Sequence, residues 1–453
     1  MKKNKWWVFL VTTSGTSVVF LDNTVMPVAL PTIQKELLFA PLTLVWVVNS
    51  YLLSLTSLLL IGGRLVDLFG KRALFVAGLS LFGFGSAISG ASMTQWWMIM
   101  GRVIQGAGGA LVVPATSALL ISTFPVGERA KAIGINTGIS SIFLILGPAV
   151  GGFFTEYLSW RGIFYLNLPL VGFGIAMAFW ILNPGKRKKE SFHFMGALMM
   201  LCGVIALVVG LMQGNEWGWE NPAVLILILV SPIFFFLFWW ISTHTPHPLI
   251  DFHFFKKRLF TVANVFIFLT QIVIMVTVLW AIYFQQQLKY TPAQTGLIIF
   301  IAVFPVFLMA PLGGYIGDRY GPRIPLLIGY CLLTFSLFWL LSTAQTKSLG
   351  LLLPGLLCFG GGIPLILSPT IAMGLSQIST DKLGAASGIT TETRQLASTI
   401  GIAVLTTIYH TTLNRTGSNA SAFSAISLVS GILSAIGLIV AIFAVKKHNH
   451  YKG

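Results

Sequence analysis

Four charged side chains of this chain fall inside long apolar runs: Asp22, Arg102, Glu392 and Arg394. Asp22 is the only charge between Lys5 and Lys35. That separation is about 45 Å as helix, more than the roughly 30 Å hydrocarbon core of a bilayer. An acid at the centre of a spanning helix costs about 3 kcal/mol on insertion scales unless it is paired, protonated or turned to water. The chemistry open to such a carboxylate is reversible proton binding, with a buried guanidinium as the competing partner. Arg102 could snorkel to the interface. The glycines at 101, 106, 108 and 109 instead give its helix a face on which neighbours pack closely, where an arginine would meet polar groups. Glu392 and Arg394, two residues apart, project to different helix faces and need not pair with each other. Glu392 is read as a second intramembrane acid.

The elements that hold these residues are spans. Of 453 residues, 56% are apolar and 9% charged, against about 25% charged in a soluble domain. The apolar residues come in continuous blocks near 20 long that do not alternate, which predicts an all-α polytopic membrane protein and not a barrel. Fourteen spans are expected, near 6–33, 43–62, 73–91, 96–121, 132–155, 160–182, 194–214, 222–242, 259–283, 294–313, 324–343, 346–372, 383–409 and 423–445. The start imitates a signal peptide, but its run is too long and lacks a cleavage site; it is read as the first span.

An even number of spans puts both termini on one side. With the N-terminus in the cytoplasm, twenty-one Lys and Arg fall in inside loops and five outside, the asymmetry expected of a cytoplasmic face. That sorting accounts for the net charge of +16 without a nucleic-acid partner. The three cysteines, Cys202, Cys331 and Cys358, are widely spaced in apolar runs and read as buried hydrophobes. The histidines show no metal-ligand spacing, and Gly360-Gly361-Gly362 lacks the Lys-Ser/Thr of a phosphate loop. No metal, cofactor or enzymatic site is expected.

A repeat divides the chain. Gly62-Gly63, Asp67, Gly70, Lys71 and Arg72 follow span 2; Gly313-Gly314, Asp318, Arg319, Gly321 and Arg323 follow span 10, at a constant offset of 251. Pro114 and Pro369 continue the match at 255. Six spans with short loops take about 180 residues at spans near 20 long, so two further spans are inserted between homologous halves. The expected domains are an N-terminal six-helix bundle, 1–182, a linker with two inserted helices, 183–258, a C-terminal six-helix bundle, 259–445, and a cytoplasmic tail, 446–453. In span 5, Gly147-Pro148 with Gly151-Gly152 makes a closely packed helix in which the proline frees a carbonyl.

These stretches resemble the major facilitator superfamily, and within it the fourteen-helix drug:proton antiporter branch. Gly63 to Arg72 resembles the loop signature. Arg102-Val103-Ile104-Gln105-Gly106 resembles the Arg-x-x-Gln-Gly of helix 4. Leu146 to Gly152 resembles the antiporter signature of helix 5. Leu21-Asp22-Asn23-Thr24-Val25 through Pro31 resembles that branch's helix 1, and Trp160-Arg161 through Pro169 its helix 6. Two positions depart: Leu68 follows Asp67 where the family has Arg, and Pro27 stands where it has Asn.

The resemblance implies the major facilitator fold, two pseudo-symmetric six-helix bundles plus two inserted helices. It implies export of a drug-like or lipophilic compound in exchange for protons, by alternating access. Asp22, Arg102, Glu392 and Arg394 would couple protons, the two glycine-rich loops would gate the cytoplasmic side, and helix 5 would favour exchange. The setting would be a bacterial inner membrane, multi-pass with both termini cytoplasmic, and the protein a monomer with a small molecule, protons and lipid as its partners. An endogenous metabolite or siderophore is the alternative cargo, and a non-transporting sensor of the same fold the alternative class.

Overall fold

The computed structural model describes residues 5–40, 44–125, 128–183, 194–245, 250–346, 348–378 and 383–445. Among them fourteen helices are long and apolar enough to cross a membrane. Lys186 to Lys189, Lys382 and the 446–453 tail lie outside the described residues, as do the side chains of Asp67 and Asp318.

The first eight helices are α1 (Lys5–Leu37), α2 (Trp46–Phe69), α3 (Lys71–Gly90), α4 (Gln95–Thr123), α5 (Arg129–Phe153), α6 (Trp160–Ile181), α7 (Phe194–Trp217) and α8 (Pro222–His244). A π-turn, Phe154–Leu158, extends α5. Then come α9 (Arg258–Ile274), α10 (Val276–Gln286), α11 (Pro292–Val303) and α12 (Pro305–Tyr320), followed by α13 (Arg323–Thr343), α14 (Leu349–Leu375), α15 (Leu383–Thr416) and α16 (Asn419–Ala444). The spans expected at 259–283 and 294–313 are each two helices, broken at Met275 and at Phe304.

The chain forms two compact units. The first is Met1–Ile250 with Thr291–Leu297, and the second is Asp251–Tyr290 with Ile298–Gly453. In the first, α3 lies along α4, α2 along α4, and α1 along α5 and α6. Small residues set these approaches. A Cβ at Gly101 would stand 2.8 Å from the backbone nitrogen of Ser89, and one at Gly106 would run into the carbonyl oxygen of Tyr51. The inserted helices α7 and α8 pack on each other, and α7 on α2. In the second unit, α13 lies along α14 and α16, and α9 against α14 and α15.

Each repeated loop turns at a glycine. Gly70 (φ 97°) alone separates α2 from α3, and Gly321 (φ 82°) ends α12 just before α13. Both angles lie in the region that side-chain-bearing residues avoid, so the repeat seen in the residues is also a repeat of backbone geometry.

Candidate functional site

The close approach of five helices buries the first charged group. Asp22 of α1 and Arg102 of α4 are 0% and 1% exposed. Arg102 Nη1 donates to Asp22 Oδ2 at 2.5 Å, and Nε donates to the carbonyl of Val47 at 2.9 Å. Arg102 Nη1 also donates to Gln105 Oε1 at 2.6 Å. The other carboxylate oxygen, Oδ1, accepts from Gln105 Nε2 at 2.8 Å and from Asn167 Nδ2 at 3.3 Å. Ser86 of α3 closes the network, accepting from Asn167 at 3.0 Å and donating to the carbonyl of Phe164 at 3.0 Å. The guanidinium lies 4.2 Å from the ring centre of Tyr51 and 5.9 Å from that of Phe164. A buried pair of this kind offsets its desolvation only when the remaining donors and lone pairs are met, and here Asp22 has three donors.

Asp22 and Arg102 are thus brought together as two of a set. Gln105, Asn167 and Ser86 complete it, though sequence reasoning singled out none of them as site residues. Gln105 and Asn167 stood inside the helix 4 and helix 6 stretches; Ser86 had no signal beyond a hydroxyl in an apolar run. Helix α6 reaches α1 at two levels. Asn167 reaches Asp22, and Trp160 Nε1 donates to Glu36 Oε2 of α1 at 2.7 Å. Arg161 Nη1 donates to that same oxygen at 2.8 Å.

Glu392 lies in α15, nine residues beyond Leu383 and inside the span. It is 1% exposed, and neither carboxylate oxygen has a hydrogen-bond partner among the described residues. Arg394, two residues further, is half-buried.

In α5, Pro148 has no N–H for the carbonyl of Leu144, four residues back. Thr24 Oγ1 of α1 supplies the missing donor at 2.7 Å. Gly147 faces Thr24, Gly151 faces the carbonyl of Val25, and Gly152 faces that of Pro292, each too near for a Cβ.

At the loops, Arg72 lies 5.0 Å from the ring centre of Phe179. Arg319 Nη1 donates to the Tyr315 hydroxyl at 2.7 Å, and Arg323 Nη2 to the Ile442 carbonyl at 3.2 Å. Ile442 is in the last turn of α16, where a cation meets the negative end of the helix. Gly63 and Gly314 leave room for a Cβ; what they do there is not closeness of packing. Among the described residues no three His, Cys, Asp or Glu cluster as metal ligands.

The family model described as Major Facilitator Superfamily matches residues 12–402 and, again, 259–452. Over 92% of this chain and 78% of its own length, the multidrug resistance protein Stp of Mycobacterium tuberculosis is 31% identical. The cephamycin export protein CmcT of Amycolatopsis lactamdurans is 32% identical over 88% of this chain and 84% of its own. Among solved structures, a D-xylose-proton symporter superposes with a TM-score of 0.69, covering 99% of this chain and 98% of that one at 15% identity, a likeness of fold.

Proposed function

The chain belongs to the Major Facilitator Superfamily, and from that premise we propose that it exports a lipophilic, drug-like small molecule in exchange for protons. Secondary transport of a small molecule across a membrane, without enzymatic chemistry, comes with the family. Direction and cargo are the further step. Their support is the kinship with proteins named for drug resistance and for cephamycin export, and the antiporter-type helix α5 packed on α1.

One observation carries the coupling: the buried Asp22–Arg102 pair at 2.5 Å. A proton on Asp22 removes the charge that Arg102 answers, so a proton and the guanidinium compete for one carboxylate. In the proposed cycle Asp22 takes a proton from outside as the cargo leaves. It returns to Arg102, Gln105 and Asn167 when the proton is released inside. Glu392, an acid with no hydrogen-bond partner among the described residues, is proposed as the second proton carrier, with Arg394 nearby in sequence. The loops at Gly70 and Gly321 are proposed to gate the cytoplasmic face.

Everted membrane vesicles with an imposed pH gradient test this, using a lipophilic dye as cargo. The parent is expected to concentrate dye when the gradient is applied and to lose it when the gradient is collapsed. Asp22→Asn, which keeps the shape and cannot ionise, is expected to lower gradient-driven uptake at least tenfold. Undiminished uptake by Asp22→Asn removes Asp22 from the mechanism.

A further inference from the structure

Helices α1 and α5 run side by side in one register. Lys5 Nζ meets Glu128 Oε2 at 2.5 Å, Asn136 Nδ2 donates to Thr13 Oγ1 at 2.9 Å, and Gly147 abuts Thr24. All three pairs are 123 residues apart. Ser17 and Ser140 are also 123 apart. Ser17 is four residues past Thr13 and seven short of Thr24; Ser140 is four past Asn136 and seven short of Gly147. Steps of four and seven keep to one helix face, so the two serines face each other across the seam.

Both are buried, at 3% and 0% exposed, and neither hydroxyl has a hydrogen-bond partner among the described residues. Their neighbours behave differently. Thr12, Ser14 and Thr16 of the same helix donate back to carbonyls of their own chain. Asn136 bridges Thr13 and Thr16 one turn below. A hydroxyl left unpaired in an apolar interior is costly, and a bound water that bridges such groups removes that cost.

The layer below is apolar. Phe9, Leu120, Phe124 and Ala132 form one buried cluster, with Ile133 and Ile139 packed on it. Trp6 meets Phe9 and Phe124 edge-on at 5.8 Å from each. Lys5 caps this layer, bonded to Glu128 and 5.6 Å from the Phe124 ring centre. From the Lys5 end inward, the seam is therefore ion pair, aromatic plug, polar pocket.

We propose that Ser17, Ser140, Thr13, Thr16 and Asn136 form a pocket for water, supplied from the Lys5 end through the aromatic plug. Ser17 lies five residues short of Asp22, about 8 Å along the helix, so the pocket brings solvent close to the level of the carboxylate. Only that use rests on the exporter reading; the pocket itself does not.

Silver ion, small enough for a water-sized path and reactive with thiolate, is the probe. Cys202, Cys331 and Cys358 are first replaced by Ala in the full chain, and Ser17→Cys, Ser140→Cys and Val19→Cys are made singly on that background. Val19 is equally buried at 1% exposed and lies on another face of α1. Silver is added to one side of oriented vesicles, and thiols still free are counted after unfolding. Ser17→Cys and Ser140→Cys are expected to react at least tenfold faster than Val19→Cys from the Lys5 side, and faster again with Phe9→Ala. Rates no faster than Val19→Cys, with and without Phe9→Ala, overturn the pocket, as does faster reaction from the opposite side. Ser17→Thr keeps a hydroxyl and gives a folded reference if a cysteine variant fails to accumulate; accumulation of Ser17→Thr with no silver reaction at Ser140→Cys also overturns it. None of these readouts requires transport, so a negative result leaves the exporter reading standing, while a failed vesicle assay leaves the pocket standing.

Discussion

At the scale of single residues, the two acids inside the spans are not equivalent. Asp22 has three donors, one of them a guanidinium; Glu392 has no hydrogen-bond partner among the described residues. Removing one partner of a buried pair leaves a charge unanswered and costs about 3–5 kcal/mol. Arg102→Ala and Asp22→Asn, each of which leaves the other charge unanswered, are therefore both expected to lower the melting temperature of the detergent-purified protein. Glu392→Gln, which replaces an unpartnered acid by a neutral amide, is expected to leave that temperature unchanged or higher. A fall for Glu392→Gln as large as for Arg102→Ala would contradict the difference in their surroundings. The charged members of the first site were legible because a charge in an apolar run is rare enough to stand out. Gln105, Asn167 and Ser86 were not, since neutral amides and hydroxyls occur in spans for many reasons, and only the crossing of α3, α4 and α6 selects these three.

At the scale of helices, Pro148 and Thr24 act as a pair. The proline withdraws a backbone donor from Leu144, and the threonine replaces it from another helix. Interhelical hydrogen bonds in membranes average about 0.6 kcal/mol and reach about 1.7. Thr24→Val is expected to destabilise within that range. On a Pro148→Ala background, where the helix supplies its own donor, the same change is expected to cost less; equal costs on both backgrounds would show the two positions to be independent. That Pro148 frees a carbonyl was readable from the residue type. Which side chain answers it was not, because the α1–α5 register is a tertiary fact. The breaks at Met275 and Phe304 were likewise invisible to hydropathy, since the apolar run continues through a single residue. Pro305 opens α12 and explains the second break by its fixed φ and missing donor. Nothing local distinguishes Met275.

At the scale of the molecule, the fourteen spans were legible and their ends fell within seven residues of the helix ends, because twenty apolar residues closed by Gly, Pro or charge have few other uses. The inserted pair α7–α8 packs with α2 in the first unit, and Thr291–Leu297 belongs to that unit as well; such packing is a tertiary fact that a linear repeat does not carry. Orientation is a separate matter, carried by the bias of twenty-one basic residues to five. Single reporter tags at the two ends are expected to be digested by a protease only from the cytoplasmic side. Digestion of either tag in intact cells would reverse or break the proposed topology.

The turn at Gly70 has a mechanical consequence. With one residue between α2 and α3, the two helices share a joint and not a tether. There is no slack to absorb a displacement, so whatever tilts the end of α2 must carry the start of α3, and Arg72 on Phe179 of α6, in the same stroke. Lengthening that joint by three or four flexible residues would decouple the two rods while leaving every contact along their length available, a way to learn whether transport needs the helices themselves or the stiffness with which they are linked.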